Sequence, residues 1–156
     1  MVVNLESSGV GRNSFPTDLG WAIASQDGGL EFTSWLIKPP ARWTSKPDAW
    51  SAASERLTGI TKEMLDAVGI SPAQAMSRFL ADVGHRVYSS DPDFDRHWLT
   101  MLATAASVDI GHLQIGDARK LIEAARGIAG PKEGPRHRAG ADAMRLALLY
   151  SLAIQR

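Results

Sequence analysis

Apolar and polar residues alternate at the start of the chain in the pattern of a short β-strand. The run from Val2 to Leu5 is apolar except for Asn4, and Glu6 follows just before the turn Ser7-Ser8-Gly9. Because side chains two residues apart in a strand point to the same face, Asn4 and Glu6 are predicted to project together. Two oxygen-bearing side chains in that position are costly unless a cation lies between them. The pattern therefore indicates either a cation site or the solvated face of an edge strand.

Two β-rich runs follow and predict a hairpin. Asp18–Ser25 and Leu30–Ile37 flank the turn Gln26-Asp27-Gly28-Gly29, whose Asp-Gly and Gly-Gly pairs are typical of hairpin connections. Pro39–Pro40 ends the second of these strands. The next segment, Ala41–Ser54, is predicted to be an ordered loop.

Helical signals dominate the rest of the chain. Ser71 and Asp91 each precede a proline, which is the arrangement of an N-cap followed by proline at the first helical position. Each of these two helices carries one apolar face, formed by Met76, Phe79, Leu80 and Val83 in the first and by Phe94, Trp98 and Leu102 in the second. The remaining predicted elements are short strands at Arg86–Ser89 and Leu113–Ile115, a helix from Ala118 to about Arg126 capped by Asp117, a loop from Gly127 to Pro135, and a last helix from about Arg138 to Ile154.

This order of elements predicts an α/β fold with a central mixed β-sheet flanked by helices. The 156 residues are expected to form a single domain, 1–156. Its five tryptophans are predicted to be core anchors in preference to platforms on which bases stack.

Composition narrows the class of protein. The absence of cysteine excludes disulfides and thiolate metal sites and is compatible with a cytoplasmic location, which we expect. No apolar run approaches the ~20 residues of a membrane span, and no signal peptide is recognisable, so no membrane association is expected. The formal net charge of zero excludes coating of long nucleic acid by charge alone, but it allows a local grip on a few terminal nucleotides.

Three further polar residues, Asp95, Asp142 and His137, are candidates for a site. Glu6, Asp95 and Asp142 come from three separate elements, as expected of a hard-cation site built from carboxylate oxygens. Asp95 and Asp142 both fall in the first turn of a helix, where an acid also favours the helix dipole, so capping is the alternative for each. His137 lies five residues before Asp142, and a histidine beside such a site suits a general base. The other histidines, at positions 85, 97 and 112, are predicted to be structural or surface residues.

Four segments of the chain resemble, in order, motifs of the DEDDh (DnaQ-like) 3′–5′ exonucleases, which have a ribonuclease-H-like fold. Asn4–Gly9 (Asn-Leu-Glu-Ser-Ser-Gly) is similar to the first motif, Asp-x-Glu-Thr-Thr-Gly, and Leu57–Met64 resembles the His-Gly-Ile-Thr segment with threonine in place of histidine. Ser90–Leu99 is similar to the second motif, His-Asn-Ala-x-Phe-Asp, and His137–Ala143 fits the third, His-x-Ala-x-x-Asp-Ala, without a gap. The histidine of the third motif indicates the histidine subclass.

The resemblance implies metal-dependent hydrolysis of phosphodiester bonds at the 3′ end of single-stranded DNA or RNA. Two divalent ions, Mg²⁺ or Mn²⁺, would clamp the scissile phosphate. The resemblance assigns metal binding to Asn4, Glu6 and Asp142, and Asp95 would support the ions partly through water. It assigns the role of general base to His137. Assembly into a homodimer is left open.

The resemblance also places the terminal nucleotide against the turn after the first strand. Ser7, Ser8 and Gly9 would present backbone and hydroxyl groups to it. Val10 is the candidate for an apolar wedge on which exposed bases stack.

One departure bears directly on activity: Asn4 stands where the family has the aspartate that contacts both metals. An amide oxygen can bind a hard cation, but it carries no charge. The asparagine is either a natural change that weakens or removes catalysis or a replacement made to trap a complex. The rival to an exonuclease is therefore a catalytically silent module of the same fold that binds nucleic acid or a partner protein. A third alternative, a structural domain without ligand, would require four accidental motif matches.

Overall fold

A computed structural model describes residues 1–24, 29–118 and 138–154 of the chain, with side chains omitted at 24, 146 and 149–154. Five β-strands lie in these ranges: β1 (Val2–Ser7), β2 (Pro16–Ala24), β3 (Leu30–Leu36), β4 (Arg86–Ser89) and β5 (Gln114–Asp117). The helices in the same ranges are α1 (Ala41–Thr44), α2 (Ala52–Thr58), α3 (Lys62–Val68), α4 (Pro72–Asp82), α5 (Pro92–Ala106) and α6 (Ala139–Ile154).

The strands form one mixed sheet in the order β3-β2-β1-β4-β5. β1 pairs antiparallel with β2 and parallel with β4, so it occupies the centre of the sheet. The β2–β3 hairpin pairs from Asp18 opposite Leu36 to Ala24 opposite Leu30. The predicted α/β class, with a central mixed sheet flanked by helices, is confirmed.

The two faces of the sheet carry different cores. Val3, Leu5 and their partner strand residues Trp21 and Leu19 belong to the larger hydrophobic cluster, which includes the buried sides of α4 and α5. Val2 and Ala22 instead join a smaller cluster with Ala118, Ala143 and Ala147. By strand alternation, Asn4 and Glu6 lie on the same face as Val2, which is the face covered by α6.

Several helix predictions are confirmed in detail. Ser71 and Gln74 form a capping box at the start of α4, and the Asp91 side chain accepts a hydrogen bond from the Phe94 amide at the start of α5. Proline therefore marks the first turn of both helices, as the sequence indicates.

Trp21, Trp43 and Trp98 are buried core residues.

The prediction of a loop over Ala41–Ser54 is wrong, because that segment contains α1 and the beginning of α2. Ser51 caps α2 through its hydroxyl, which accepts the Ser54 amide at 3.3 Å. Gly59 ends the helix in the left-handed region, with φ of 68°. α3 was not predicted either. These helices have four to seven residues, too few to show a 3.6-residue apolar period.

Fewer of the predictions for the C-terminal third of the chain fall on described residues. Asp117 is the last residue of β5, and its predicted role as the cap of a following helix stays a prediction. The helix predicted after it, the loop from Gly127 to Pro135 and His137 lie outside the described residues, as do Gln26, Asp27 and Gly28 of the hairpin turn. Within the described ranges, no helix combines the length and apolar character that spanning a bilayer would demand.

The N-terminus of α6 lies directly on β2 because two glycines face each other there. A Cβ atom on Gly20 would lie 2.2 Å from the Gly140 amide nitrogen and 2.3 Å from the carbonyl carbon of Ala139. Gly20 is the register partner of Asn4. This close approach fixes where the first turn of α6, and with it Asp142, meets the end of the sheet.

We predict that Gly20→Ala will destabilise the protein by about 2 kcal/mol or more, because the added methyl group meets backbone atoms that cannot rotate away. Urea unfolding followed by circular dichroism measures the change. Gly84→Ala is the matched control, since nothing lies within 4 Å of its added Cβ, and it should change stability by less than about 0.5 kcal/mol. Equal stability of Gly20→Ala and the parent protein would contradict the close approach.

Candidate active site

Asn4 and Glu6 lie side by side at the C-terminal end of the central strand. Both are partly buried, and the Asn4 amide Nδ2 donates a long hydrogen bond of 3.4 Å to Glu6 Oε1. A β-bulge between Glu6 and Ser7 ends the regular pairing with β2. The strand therefore places its two polar side chains just before the irregularity in its pairing with β2.

Asp18, which was not predicted as a site residue, is the register partner of Glu6 and is fully buried. Its Oδ2 atom accepts hydrogen bonds from Arg138 Nε at 3.1 Å and from the Ala139 amide at 3.2 Å. Burial raises the pKa of Asp18, and the Arg138 guanidinium opposes that increase. Asp18 thus attaches the N-terminus of α6 to β2. The signal in the sequence is an aspartate near the beginning of an otherwise apolar strand.

Asp142 lies in the first turn of α6 and is partly buried. Its amide donates to the Arg138 carbonyl at 2.9 Å, which continues the helix from the residue that Asp18 holds. The Asp142 charge is the largest electrostatic contribution to the raised pKa of Glu6. The motif residue is therefore close to Glu6 in space, although 136 positions separate them in the chain.

Asp95 fills a gap between two strands. β1 pairs with β4 through Val2 and Tyr88, near the beginning of β1 and the end of β4, which leaves the Leu5 amide without a partner on β4. Asp95 Oδ1 accepts that amide at 2.9 Å, and Oδ2 accepts the Ser89 hydroxyl in a short hydrogen bond. Burial raises the pKa of Asp95 to about 7, against the opposing effect of both hydrogen bonds. Both carboxylate oxygens of Asp95 thus accept hydrogen bonds from the protein in this structure.

Glu6 carries the strongest electrostatic signature of the cluster. Its pKa is raised to about 8, first by burial and then by the charges of Asp142, Asp18 and Asp95, while the hydrogen bond from Asn4 lowers it. Among the described residues, Arg138 forms a salt bridge with Asp18, and Glu6 forms none. The described part of the site thus places Glu6 under the influence of three aspartates, one of which is paired with Arg138.

The serine side chains of the turn after β1 form hydrogen bonds within the protein. The hydroxyls of Ser7 and Ser8 donate to the carbonyls of Gly9 and Ala49, each at 2.6 Å, and both side chains are buried. A Cβ on Gly9 would lie 2.7 Å from the Ser14 hydroxyl. Val10 is 91% exposed. The predicted contacts of these four residues with nucleotide stay predictions, and only Val10 is open to solvent for such a contact.

His137, the predicted base, lies outside the described residues. The other three histidines are exposed. His85 and His112 pack edge to face with ring centroids 6.2 Å apart, and His97 packs against Trp98 at 4.5 Å. The groups that shift the pKa of Glu6 are aspartates and Asn4, and these three histidines are not among them.

The donor atoms on the α6 face suit a hard divalent cation in part. Within the ranges that the structure describes, no three histidine, aspartate or glutamate side chains form a complete metal-binding group. Mg²⁺ does not require one, because it keeps several waters and is held by one or two carboxylates together with substrate phosphate. Glu6 and Asp142 can provide those carboxylates. Rotation of the Asn4 amide would turn its oxygen toward the same position.

Two cavities formed by described residues are lined by other parts of the chain than this cluster. One of about 600 Å³ is formed by residues of α1, α3 and the segment between α1 and α2, including Trp50 and Lys62. Another, of about 560 Å³, lies between α1, α5 and the segment after β1. The carboxylates themselves line neither of them.

No protein-family model matches the chain, and no curated protein matches it. Solved structures do match, and each of the following aligns over 99% of this chain. Exonuclease X in complex with 5′-overhanging duplex DNA has a TM-score of 0.66 and 15% identity over 90% of its own chain. E. coli Exonuclease I in complex with a dA16 oligonucleotide has a TM-score of 0.72 and 15% identity. A full-length 3′-exonuclease has a TM-score of 0.65 and 12% identity over 80% of its chain.

The likeness shows the fold. This chain spans 40% of the Exonuclease I chain, so the remainder of that enzyme has no counterpart in it. The α/β fold with a mixed sheet flanked by helices is shared with exonucleases.

We predict that Glu6→Gln will stabilise the metal-free protein as the pH rises. The pKa of Glu6 is about 8 in the folded protein and near its ordinary value of 4.5 in the unfolded chain. Between these values the folded state holds a proton that the unfolded chain has released, so the parent protein loses stability as the pH rises. The glutamine variant lacks this loss and should be more stable by on the order of 2–4 kcal/mol near pH 8, with little difference near pH 5.

Urea unfolding in EDTA at several pH values measures this difference. The matched control is Glu31→Gln, since Glu31 is an exposed residue of β3, and it should leave the pH dependence of stability unchanged. If the difference in the free energy of unfolding between Glu6→Gln and the parent does not grow with pH, the pKa of Glu6 is not raised in the folded protein.

Proposed function

We propose that the protein is a divalent-metal-dependent 3′–5′ exonuclease of the DEDDh type, acting on the 3′ ends of single-stranded DNA or RNA. The observation that carries the proposal is the placement of Asp18, Asp95 and Asp142 around the partly buried Glu6 at the end of the central strand, where burial and these charges raise the pKa of Glu6. Such an excess of negative oxygen atoms favours the binding of hard cations, as phosphodiester hydrolysis by metal ions requires.

The similar structures support the proposal through what they contain. Exonuclease X was solved with overhanging duplex DNA and E. coli Exonuclease I with single-stranded oligonucleotide. A zinc-bound form of the Exonuclease I complex with single-stranded DNA also matches this chain. Those proteins were solved with DNA, and they share the fold of this chain. Both facts are consistent with the exonuclease-like order of the motifs in this chain.

In the proposed mechanism, Glu6, Asp142 and the Asn4 amide oxygen would hold the divalent metal. The metal would supply positive charge to stabilise the phosphate during hydrolysis. Asp95 keeps the end of β1 in position through the Leu5 amide, at 2.9 Å. Asp18 holds the first turn of α6, which carries Asp142.

The remaining proposed roles concern the proton and the nucleotide. His137 takes a proton from the attacking water as general base. The exposed side chain of Val10 contacts the terminal base. The turn Ser7-Ser8-Gly9 fixes the position of Val10 through the hydrogen bonds from Ser7 to Gly9 and from Ser8 to Ala49.

Asn4 favours a second candidate function, a nucleic-acid-binding module that does not cleave. The amide contributes no charge, and it donates to Glu6 where an aspartate would repel it. Metal affinity is therefore lower than in a site with aspartate at this position. The two functions differ in whether cleavage can be measured, and they share the binding surface.

We predict that Asn4→Asp will increase the cleavage rate at least about 10²-fold, because metal clamping supplies several kcal/mol of transition-state stabilisation and each ~1.4 kcal/mol is a factor of ten. The measurement is release of mononucleotides from a 3′-labelled single strand in Mn²⁺ or Mg²⁺, with the two forms compared at equal concentration. Equal rates would show that the amide suffices.

A double variant provides the control for contaminating nuclease. Asp142→Asn in the Asn4→Asp background should remove the gain, because it takes away the carboxylate on the other side of Glu6. A rate that survives this change would arise elsewhere. If neither the parent protein nor its Asn4→Asp form cleaves while both bind the strand, the binding module is the correct function.

A further inference from the structure

A groove of about 560 Å³ on the α5 side of the sheet is lined by three arginines and one histidine. Arg12 comes from the segment after β1, Arg42 from α1, and Arg96 and His97 from α5. Asp93 is the acid among its lining residues. We call this surface the arginine groove. It concentrates positive charge on a chain whose formal net charge is zero.

Among the described residues, the three arginines of the groove have no carboxylate partner to neutralise them. In residues 1–24, 29–118 and 138–154, Arg138 forms a salt bridge with Asp18, and no salt bridge involves an arginine of the groove. Arg96 donates one long bond of 3.4 Å to the Ile115 carbonyl. All three side chains are exposed, so their guanidinium groups can contact an anion from solvent.

Two segments of the chain connect the groove with the candidate active site. Arg12 follows Gly9 by three residues, in the segment that presents the exposed Val10. Arg96 directly follows Asp95, whose carboxylate accepts the Leu5 amide of β1. The segment after β1 and the first turn of α5 therefore each carry residues of both surfaces.

The lining also includes apolar and aromatic atoms. Trp43 and Met101 contribute to the groove, and the His97 ring, which is exposed, packs against Trp98. Trp43 is 4% exposed, so the His97 ring is the aromatic group of this lining that a base can reach. Guanidinium groups beside such a ring match the phosphates and bases of single-stranded nucleic acid.

The other large cavity lacks this charge imbalance. It is lined by Lys46 and Lys62 together with Asp48 and Asp66, so its positive and negative side chains are equal in number. The Lys62 ammonium also lies over the Trp50 ring, 5.5 Å from its centroid. Charge therefore distinguishes the arginine groove from this cavity as a site for a polyanion.

We propose that the arginine groove binds the phosphodiester backbone of single-stranded nucleic acid, upstream of the 3′ end that the carboxylate cluster receives. This inference rests on the proposed function for the position of the 3′ end. Its occupant is a single strand of DNA or RNA, since the phosphodiester backbone is common to both. The groove then provides the local grip that a chain of zero net charge requires.

The test measures binding without cleavage. Fluorescein-labelled single strands of about eight nucleotides, one of DNA and one of RNA, are titrated with protein in EDTA at several salt concentrations. The variants are Arg12→Gln, Arg42→Gln, Arg96→Gln and the triple variant. Arg56→Gln is the matched control, because Arg56 is an exposed arginine of α2 away from the groove. Thermal unfolding verifies that each variant is folded.

We expect each single variant to weaken binding about three- to tenfold and to lower the slope of log K against log salt by about 0.7, as loss of one phosphate contact predicts. The control should bind like the parent protein. Stronger binding of RNA or of DNA would identify the preferred strand within the proposal. A folded triple variant that binds both strands with the parent's affinity and salt slope would overturn it.

Cleavage by the Asn4→Asp form distinguishes this inference from the proposed function. Loss of binding in the triple variant, with no cleavage by Asn4→Asp protein, would refute the exonuclease and support the groove. Cleavage of the strands with the same KM in the Asn4→Asp form and its triple-arginine variant would refute the groove and leave the exonuclease standing.

Discussion

The contact between β2 and the beginning of α6 determines the geometry of the candidate site. Gly20 allows the helix backbone to approach the sheet, where any Cβ would overlap Gly140. Asp18, two residues away on the same strand, accepts the Ala139 amide and the Arg138 side chain. Because Gly20 and Asp18 are the register partners of Asn4 and Glu6, the helix terminus is fixed directly above the polar end of β1. Asp142 is thereby brought to Glu6 by backbone contacts, which leave little freedom for either carboxylate to move apart.

The cost of this arrangement is electrostatic. Glu6 is partly buried and feels the charges of three aspartates, and Arg138, a described cation near them, forms a salt bridge with Asp18. A folded protein that kept these groups for stability alone would gain from replacing one of them with a neutral side chain. Functional sites accept such a cost when a ligand supplies the missing charge. Divalent metal and the arginine groove would act on different parts of the same substrate, the scissile phosphate and the upstream backbone.

Sequence reasoning predicted those parts of the fold whose signals are local. The caps at Ser71 and Asp91, the hairpin strands and the α/β class follow from residues within a few positions of one another. It also selected Glu6, Asp95 and Asp142 through motifs. In the structure the charges of both aspartates raise the pKa of Glu6, and the metal-binding role of the three residues stays a prediction. Asp18 was missed because its partners lie 120 and 121 residues away, and no local pattern marks such a contact. The commitment of both Asp95 oxygens to Leu5 and Ser89 likewise depends on how β1 and β4 diverge.

The central claim is that the negative charge around Glu6 exists to bind divalent cations. Anomalous diffraction from crystals grown with Mn²⁺ and a nucleoside 5′-monophosphate tests it most directly. We expect a manganese ion within roughly 2.0–2.2 Å of oxygens from Glu6 and Asp142, with a phosphate oxygen completing its shell. Bound nucleotide without manganese at Glu6, or a protein cation paired with Glu6 in its place, would contradict the account.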